Sequence, residues 1–124
     1  MAIAPSIRMS ALNAESCCAP LDLQPTLSAD QAEEYAKWFM ALSDPTRIRI
    51  MNLLSQSPVP VCVCDITDQF EVGQPTISHH LKILRDVRFV LAERRGTFMY
   101  YRVNDACLVE LPEATKALFN LAPV

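Results

Sequence analysis

The sequence predicts a mainly α-helical domain with a β-hairpin wing, a winged helix-turn-helix closed by a last helix. Three observations carry this. Apolar residues recur at a helical period through most of the stretch from Ala32 to Leu84. The period changes to two from Phe89 to Val103, around a turn at Arg95-Gly96-Thr97. It becomes helical again after Asn104. With 124 residues, 51% of them apolar and 20% charged, the chain can build one core of ordinary globular composition.

Residues 1–26 show no clean periodicity, and Pro5, Pro20 and Pro25 are spread through them, so they read as a flexible N-terminal arm. The DNA-binding-type domain is expected over 27–124. Ser28 followed by Gln31 fits a capping box opening a helix whose apolar stripe is Ala32, Tyr35, Ala36, Phe39 and Leu42. That helix should end near Ser43. Asp44-Pro45 supplies an N-cap and a first-turn proline for the next helix, which runs to about Ser55 with Ile48, Met51 and Leu54 facing inward.

A short helix is expected from Cys64 to Phe70 with Ile66 and Phe70 facing in. Gly73 caps the next, Gln74–Asp86, whose core stripe is Ile77, Leu81 and Leu84. Its other face is polar and basic. Strands follow at Phe89–Arg95 and Phe98–Val103. Asn104 or Asp105 caps the last helix, in which Pro112 sits early enough to be tolerated. Its Leu108, Leu111, Leu118, Phe119 and Leu121 exceed what one monomer easily covers.

The net charge is −3, yet it is unevenly spread. From Gln74 to Arg102 there are six Lys/Arg against two acidic residues, a local +4, while the remainder carries −7. One basic face on an acidic body suits a polyanion. In a helix-turn-helix the second helix enters the major groove and shows its N-terminal side chains to base edges. Gln74, Thr76, Ser78, His79 and Lys82 are the candidate contacts there, and Arg94, Arg95 and Tyr100 those of the hairpin. A merely solvated basic face is the plainer alternative for any one of them.

No run of about 18 apolar residues occurs, so no membrane helix is expected, and the N-terminus lacks the pattern of a secretory signal. A cytoplasmic location, where thiols stay reduced, is the expectation. Five cysteines there, with Cys17 beside Cys18 and Cys62 two residues from Cys64, favour metal binding or redox chemistry over a disulfide scaffold. Thiols at i and i+2 point the same way in extended chain, and a helix N-terminus should lower their pKa. Burial as small apolar residues is the plainer reading of Cys62 and Cys64, free thiols that of Cys17 and Cys18, and packing that of Cys107.

Three segments resemble the ArsR/SmtB family of metal-sensing repressors. They are Phe39 to Ile50, including Asp44-Pro45-Thr46-Arg47, then Gln74 to Arg85, and Arg94 to Val103. The resemblance covers roughly residues 30–120. It implies a homodimer built on the first and last helices, bound to an inverted-repeat operator in double-stranded DNA and released when metal binds. Cys62-Val63-Cys64-Asp65 resembles that family's metal site, but Thr67 stands where its arsenic sensors place a third cysteine. The missing ligands are expected from Cys17 and Cys18. The arm between Cys18 and Ser28 reaches at most roughly 35 Å, enough to cross a dimer interface.

The expected metal site is thus Cys17, Cys18, Cys62 and Cys64. All-sulfur ligation selects soft ions. The resemblance points to As(III) or Sb(III), with Cd(II), Pb(II) or Zn(II) as alternatives. No histidine follows His80, so the family's zinc site on the last helix has no counterpart. A redox-sensing regulator is the first rival reading. A thiol enzyme is disfavoured: there is no C-x-x-C, no glycine-rich cofactor loop, and only Asp65 as an acid-base group beside the cysteines. Two departures from the family pattern bear on DNA binding. Gly73 replaces a serine cap, and Val87-Arg88 replaces Ala-Gly at the end of the recognition helix, which should cost on the order of 1 kcal/mol or shift the geometry.

Overall fold

The computed structural model describes residues 22–121. In chain order the elements are α1 (Ala29–Ala41), α2 (Pro45–Leu54), β1 (Val61–Cys62), α3 (Val63–Thr67), α4 (Gln74–Asp86), β2 (Val90–Arg95), β3 (Phe98–Val103) and α5 (Cys107–Leu118). The three strands form one antiparallel sheet in the order β1-β3-β2. Strand β1 was not expected from sequence. Two residues are too short to show a period, and only pairing with β3, Val61 to Tyr101 and Cys62 to Tyr100, makes them a strand.

The expected caps are in place. Ser28 Oγ accepts from the Gln31 amide at 3.1 Å and Gln31 Oε1 accepts from the Ser28 amide at 3.0 Å. Asp44 Oδ2 accepts from the Thr46 amide at 2.8 Å and the Arg47 amide at 3.2 Å, with Pro45 in the first turn of α2. Gly73 precedes α4 without a side-chain cap, so its carbonyl alone receives the amides of Thr76 and Ile77. The last helix starts later than expected, at Cys107, but Asn104 still serves it, its Oδ1 accepting from the Ala106 amide at 3.2 Å. Pro112 lies at the sixth position of α5, beyond the first turn where a missing N–H costs nothing.

Two boundary features show how the hairpin is joined and closed. Helix α4 ends in a Schellman motif. The Phe89 amide bonds the Leu84 carbonyl and the Arg88 amide the Arg85 carbonyl, both at 2.9 Å. Arg88 takes the left-handed conformation this needs, φ 63°. The family glycine is therefore replaced without loss of the geometry, and the cost falls on backbone strain. At the hairpin tip, Arg95 pairs with Phe98, leaving a two-residue loop whose first residue, Gly96, has φ 62°. That is the position where a type II′ turn calls for glycine.

The core is formed by Ala41, Ile50, Leu54, Val63, Ile66, Ile77, Leu81, Leu84, Phe89, Val90 and Tyr101, together with Cys62 and Cys107. The stripe of α4 is buried as expected. Two other stripes are turned in part, with Leu42, Met51 and Leu54 facing in as expected. In α1 the inward side chains are Trp38, Ala41 and Leu42, with the rings of Trp38 and Phe89 6.3 Å apart, whereas Ala32, Ala36 and Phe39 are exposed. In α2 the buried residues are Ile50 and Leu54, and Ile48 is exposed. Both helices carry more apolar positions than one face holds, so periodicity alone could not choose the face. Ile48 instead lines an apolar groove of about 470 Å³ with Leu42, Met51, Leu108 and Leu111.

Candidate functional site

The thiol pair sits where the sheet becomes helix. Cys62 is the last residue of β1 and the N-cap of α3, and Cys64 is the second residue of that helix. Extended backbone at Cys62, φ −63° and ψ 141°, turns both side chains to one side, and the sulfurs lie 2.6 Å apart. Cys62 is buried and Cys64 half-buried, and neither is in a disulfide. The expected lowering of the thiol pKa is not found at Cys64. The hydrogen bond with Cys62 pushes it above the ordinary thiol value, and burial and the charge of Asp65 add to this. A neighbouring thiol that shares its proton outweighs the end of a five-residue helix.

Thr67, at the family's third cysteine position, donates its hydroxyl to the Val63 carbonyl at 2.8 Å and is turned back into its own helix. Among the described residues no cluster of three or more His, Cys, Asp or Glu can hold a metal ion. Cys17 and Cys18 lie outside the described residues. Two thiols therefore stand ready, one short of the three that a pyramidal As(III) requires. Cys107 is buried in the core with its thiol 3.9 Å from the Phe89 carbonyl, far in role from this pair.

The candidate DNA-contacting side chains fall on two elements. Gln74, Thr76, His79 and Lys82 are exposed on α4 and Ser78 is half-buried, away from the Ile77, Leu81 and Leu84 stripe. Lys82 pairs loosely with Asp86 at 3.6 Å, a contact worth little on an exposed helix face. On the wing, Arg94 is exposed. Arg95 is held by two partners, Glu93 at 2.5 Å and the ring of Tyr100 at 4.6 Å. Tyr100, half-buried on β3, lies opposite Cys62 of β1. The structure thus joins the thiol pair to the wing through one strand pairing and to α4 through the packing of α3, a relation invisible in the sequence.

His79 and His80 part company. His79 is exposed, whereas His80 points to the corner between α1 and α2, 3.2 Å from Arg47 and 3.9 Å from Asp44. Burial raises the Asp44 carboxyl, but the amides of Arg47 and Thr46 and the Arg47 guanidinium beside it outweigh this and leave it below its ordinary value. The polar role of Arg47 was missed in the sequence. Its only signal was an arginine placed three residues after a capping aspartate.

Comparison with known proteins decides the family. The family model described as "Bacterial regulatory protein, arsR family" matches residues 44–91, from the cap of α2 into β2. The arsenical resistance operon repressor of Bacillus subtilis is 46% identical over 72 residues, covering 58% of this chain and 68% of that protein. This chain belongs to the ArsR family. A transcriptional repressor SmtB homolog from Synechocystis is 39% identical over 85 residues, 68% of this chain and 63% of that protein. The matches thus span about two thirds of each of these two relatives. The solution structure of the homodimeric winged helix-turn-helix DNA-binding domain Mb0332 from Mycobacterium bovis superposes with a TM-score of 0.61 at 25% identity, covering 81% of this chain and 91% of that one. As an ArsR-family protein, the chain is a winged helix-turn-helix transcription regulator. Its helix-turn-helix is α3 and α4, and its wing is the β2–β3 hairpin. No helix among the described residues is long and apolar enough to cross a membrane.

Proposed function

We propose that this ArsR-family chain is a metalloid-responsive repressor that binds operator DNA as a homodimer and lets go when As(III) or Sb(III) is captured by cysteine thiolates. The observation that carries the reading is the paired sulfurs of Cys62 and Cys64, 2.6 Å apart at the joint between the sheet and α3. Cys17 and Cys18 of the N-terminal arm, from the same or the other subunit, supply the third thiolate. Gln74, Thr76, Ser78, His79 and Lys82 of α4 meet the major groove, and Arg94, Arg95 and Tyr100 meet the backbone or minor groove beside it. A homodimer accounts for the exposed apolar side chains of α1 and α5, among them Met40, Leu108, Val109 and Phe119. The B. subtilis relative, named for arsenical resistance, supports the metalloid; four thiolates would equally suit Cd(II), Pb(II) or Zn(II).

Ion capture weakens DNA binding only if the ion prefers the state that fits DNA poorly, typically by 1–3 kcal/mol of coupling. The deciding experiment is release of a bound duplex by As(III) and by Cd(II), under anaerobic reducing conditions, for wild type and for C17S, C18S, C62S and C64S. Loss of the As(III) response in at least three of the four supports the shared site. A response that survives the double loss of Cys17 and Cys18 refutes the role of the arm. Release by oxidant alone, with neither ion effective, would favour a redox regulator instead.

A further inference from the structure

We propose that Arg47 and His80 are positioning residues that hold the recognition helix against the α1–α2 corner, setting DNA affinity without touching DNA. The proposal rests on the reading of α4 as the DNA-contacting helix. Arg47 spends its donors in three directions. Its Nε donates to the Ala41 carbonyl at 2.6 Å and one terminal nitrogen to the Met40 carbonyl at 3.3 Å, both at the C-terminal end of α1. Its other terminal nitrogen lies 3.2 Å from Nδ1 of His80, in the middle of α4. Arg47 itself stands in the first turn of α2. One guanidinium therefore ties three helices together.

The chemistry of the pair fixes the state of the imidazole. A guanidinium has donors only, so Nδ1 of His80 must accept, and the ring proton sits on Nε2. Protonating the ring turns Nδ1 into a donor facing a donor. Its remaining acceptor is Asp44, whose Oδ2 is 3.9 Å away and already caps α2. The charged and titratable groups around the ring are Asp44 and Arg47 from the corner and His79 on its own helix, the two imidazole centroids 6.0 Å apart. The link is thus made by neutral imidazole and undone by imidazolium. His80 is poorly accessible, its side chain 14% exposed, so the bond acts as a strut inside the protein rather than a contact with DNA.

The corner held by this strut joins α1, a helix with an unburied apolar face, to α4, the reading head. A small rotation of α4 about its axis would carry Gln74 and His79 together across a groove. A strut at mid-helix opposes that rotation, adding to the buried Ile77, Leu81 and Leu84 stripe.

The test uses the full-length protein and a duplex selected by wild type from a random pool. Affinity is measured alongside melting temperature. H80L should bind about tenfold more weakly, the effect of one lost charge-assisted hydrogen bond, while its melting temperature shows that it remains folded. H80Q keeps an acceptor for Arg47 and should restore most of the affinity. Equal binding by wild type and H80L, or failure of H80Q to rescue, would each overturn the proposal. If wild type selects no duplex at all, the DNA reading itself falls, and the strut's role in it falls too.

Discussion

Helices α4 and α5 carry the same kind of apolar stripe and meet opposite fates. In α4, Ile77, Leu81 and Leu84 are fully buried beneath the chain's own strands and helices. In α5 and its C-cap, Leu108, Val109 and Phe119 remain 61%, 66% and 65% exposed, while only Cys107 and Ala114 of the helix are buried. The reading head is finished by one chain, and the last helix is not. Apolar surface of that extent is what the proposed homodimer would cover. A second copy, covering α1 and α5, would place two finished reading heads on one scaffold about one DNA turn apart.

The sharpest way to break this contrast is to cut into each stripe. L81A removes a fully buried side chain and should cost roughly 2–5 kcal/mol in chemical denaturation of the protein. L108E should instead leave the fold of each chain intact and abolish self-association in sedimentation, taking duplex binding with it. A monomer that still binds duplex as tightly as wild type would remove the link between the two helices.

Smaller effects sharpen the picture at the junctions. Arg88 holds a left-handed conformation at the end of α4. R88G should stabilise the protein by up to about 1 kcal/mol, read as a higher melting temperature, because glycine carries no Cβ penalty there. No gain would mean that the aliphatic stem or charge of Arg88 offsets its strain. The smallest effect concerns Cys107, whose thiol burial pushes above the ordinary value of 9.0. A group raised in the folded state gives stability that is whole below its unfolded pKa and is lost as pH rises through the folded one. Wild type should therefore melt progressively earlier than C107A as the solution is taken above pH 9.0. Parallel curves would show that the thiol ionises as freely in the core as in the unfolded chain.

Much of the fold was legible because its signals are local. Ser28 with Gln31 and Asp44 with Pro45 announce helix starts within four residues of chain. Gly96 announces the hairpin, and Ile77, Leu81 and Leu84 leave α4 only one face to bury. The faces of α1 and α2 were misjudged in part, at Ala32, Ala36 and Phe39 and at Ile48, because each helix has apolar residues on more than one side, and which side is inner depends on what it meets. The thiol pair was legible as two cysteines at one spacing. Its pKa was not, since the sulfur-to-sulfur contact outweighs the helix end.

The sequence by itself determined the order of the elements, the clustering of basic residues from α4 into the hairpin, and the placing of two thiols before a short helix. Those follow from period, capping and turn chemistry, which act between near neighbours. Only the tertiary structure decided that Val61 and Cys62 form a strand against the wing, that Arg88 bends left-handed, and that Arg47 bridges α1 to His80. Each of these joins residues far apart in the chain or imposes a conformation against local preference. The free energy that favours them comes from packing and hydrogen bonds that exist only once the chain has closed on itself.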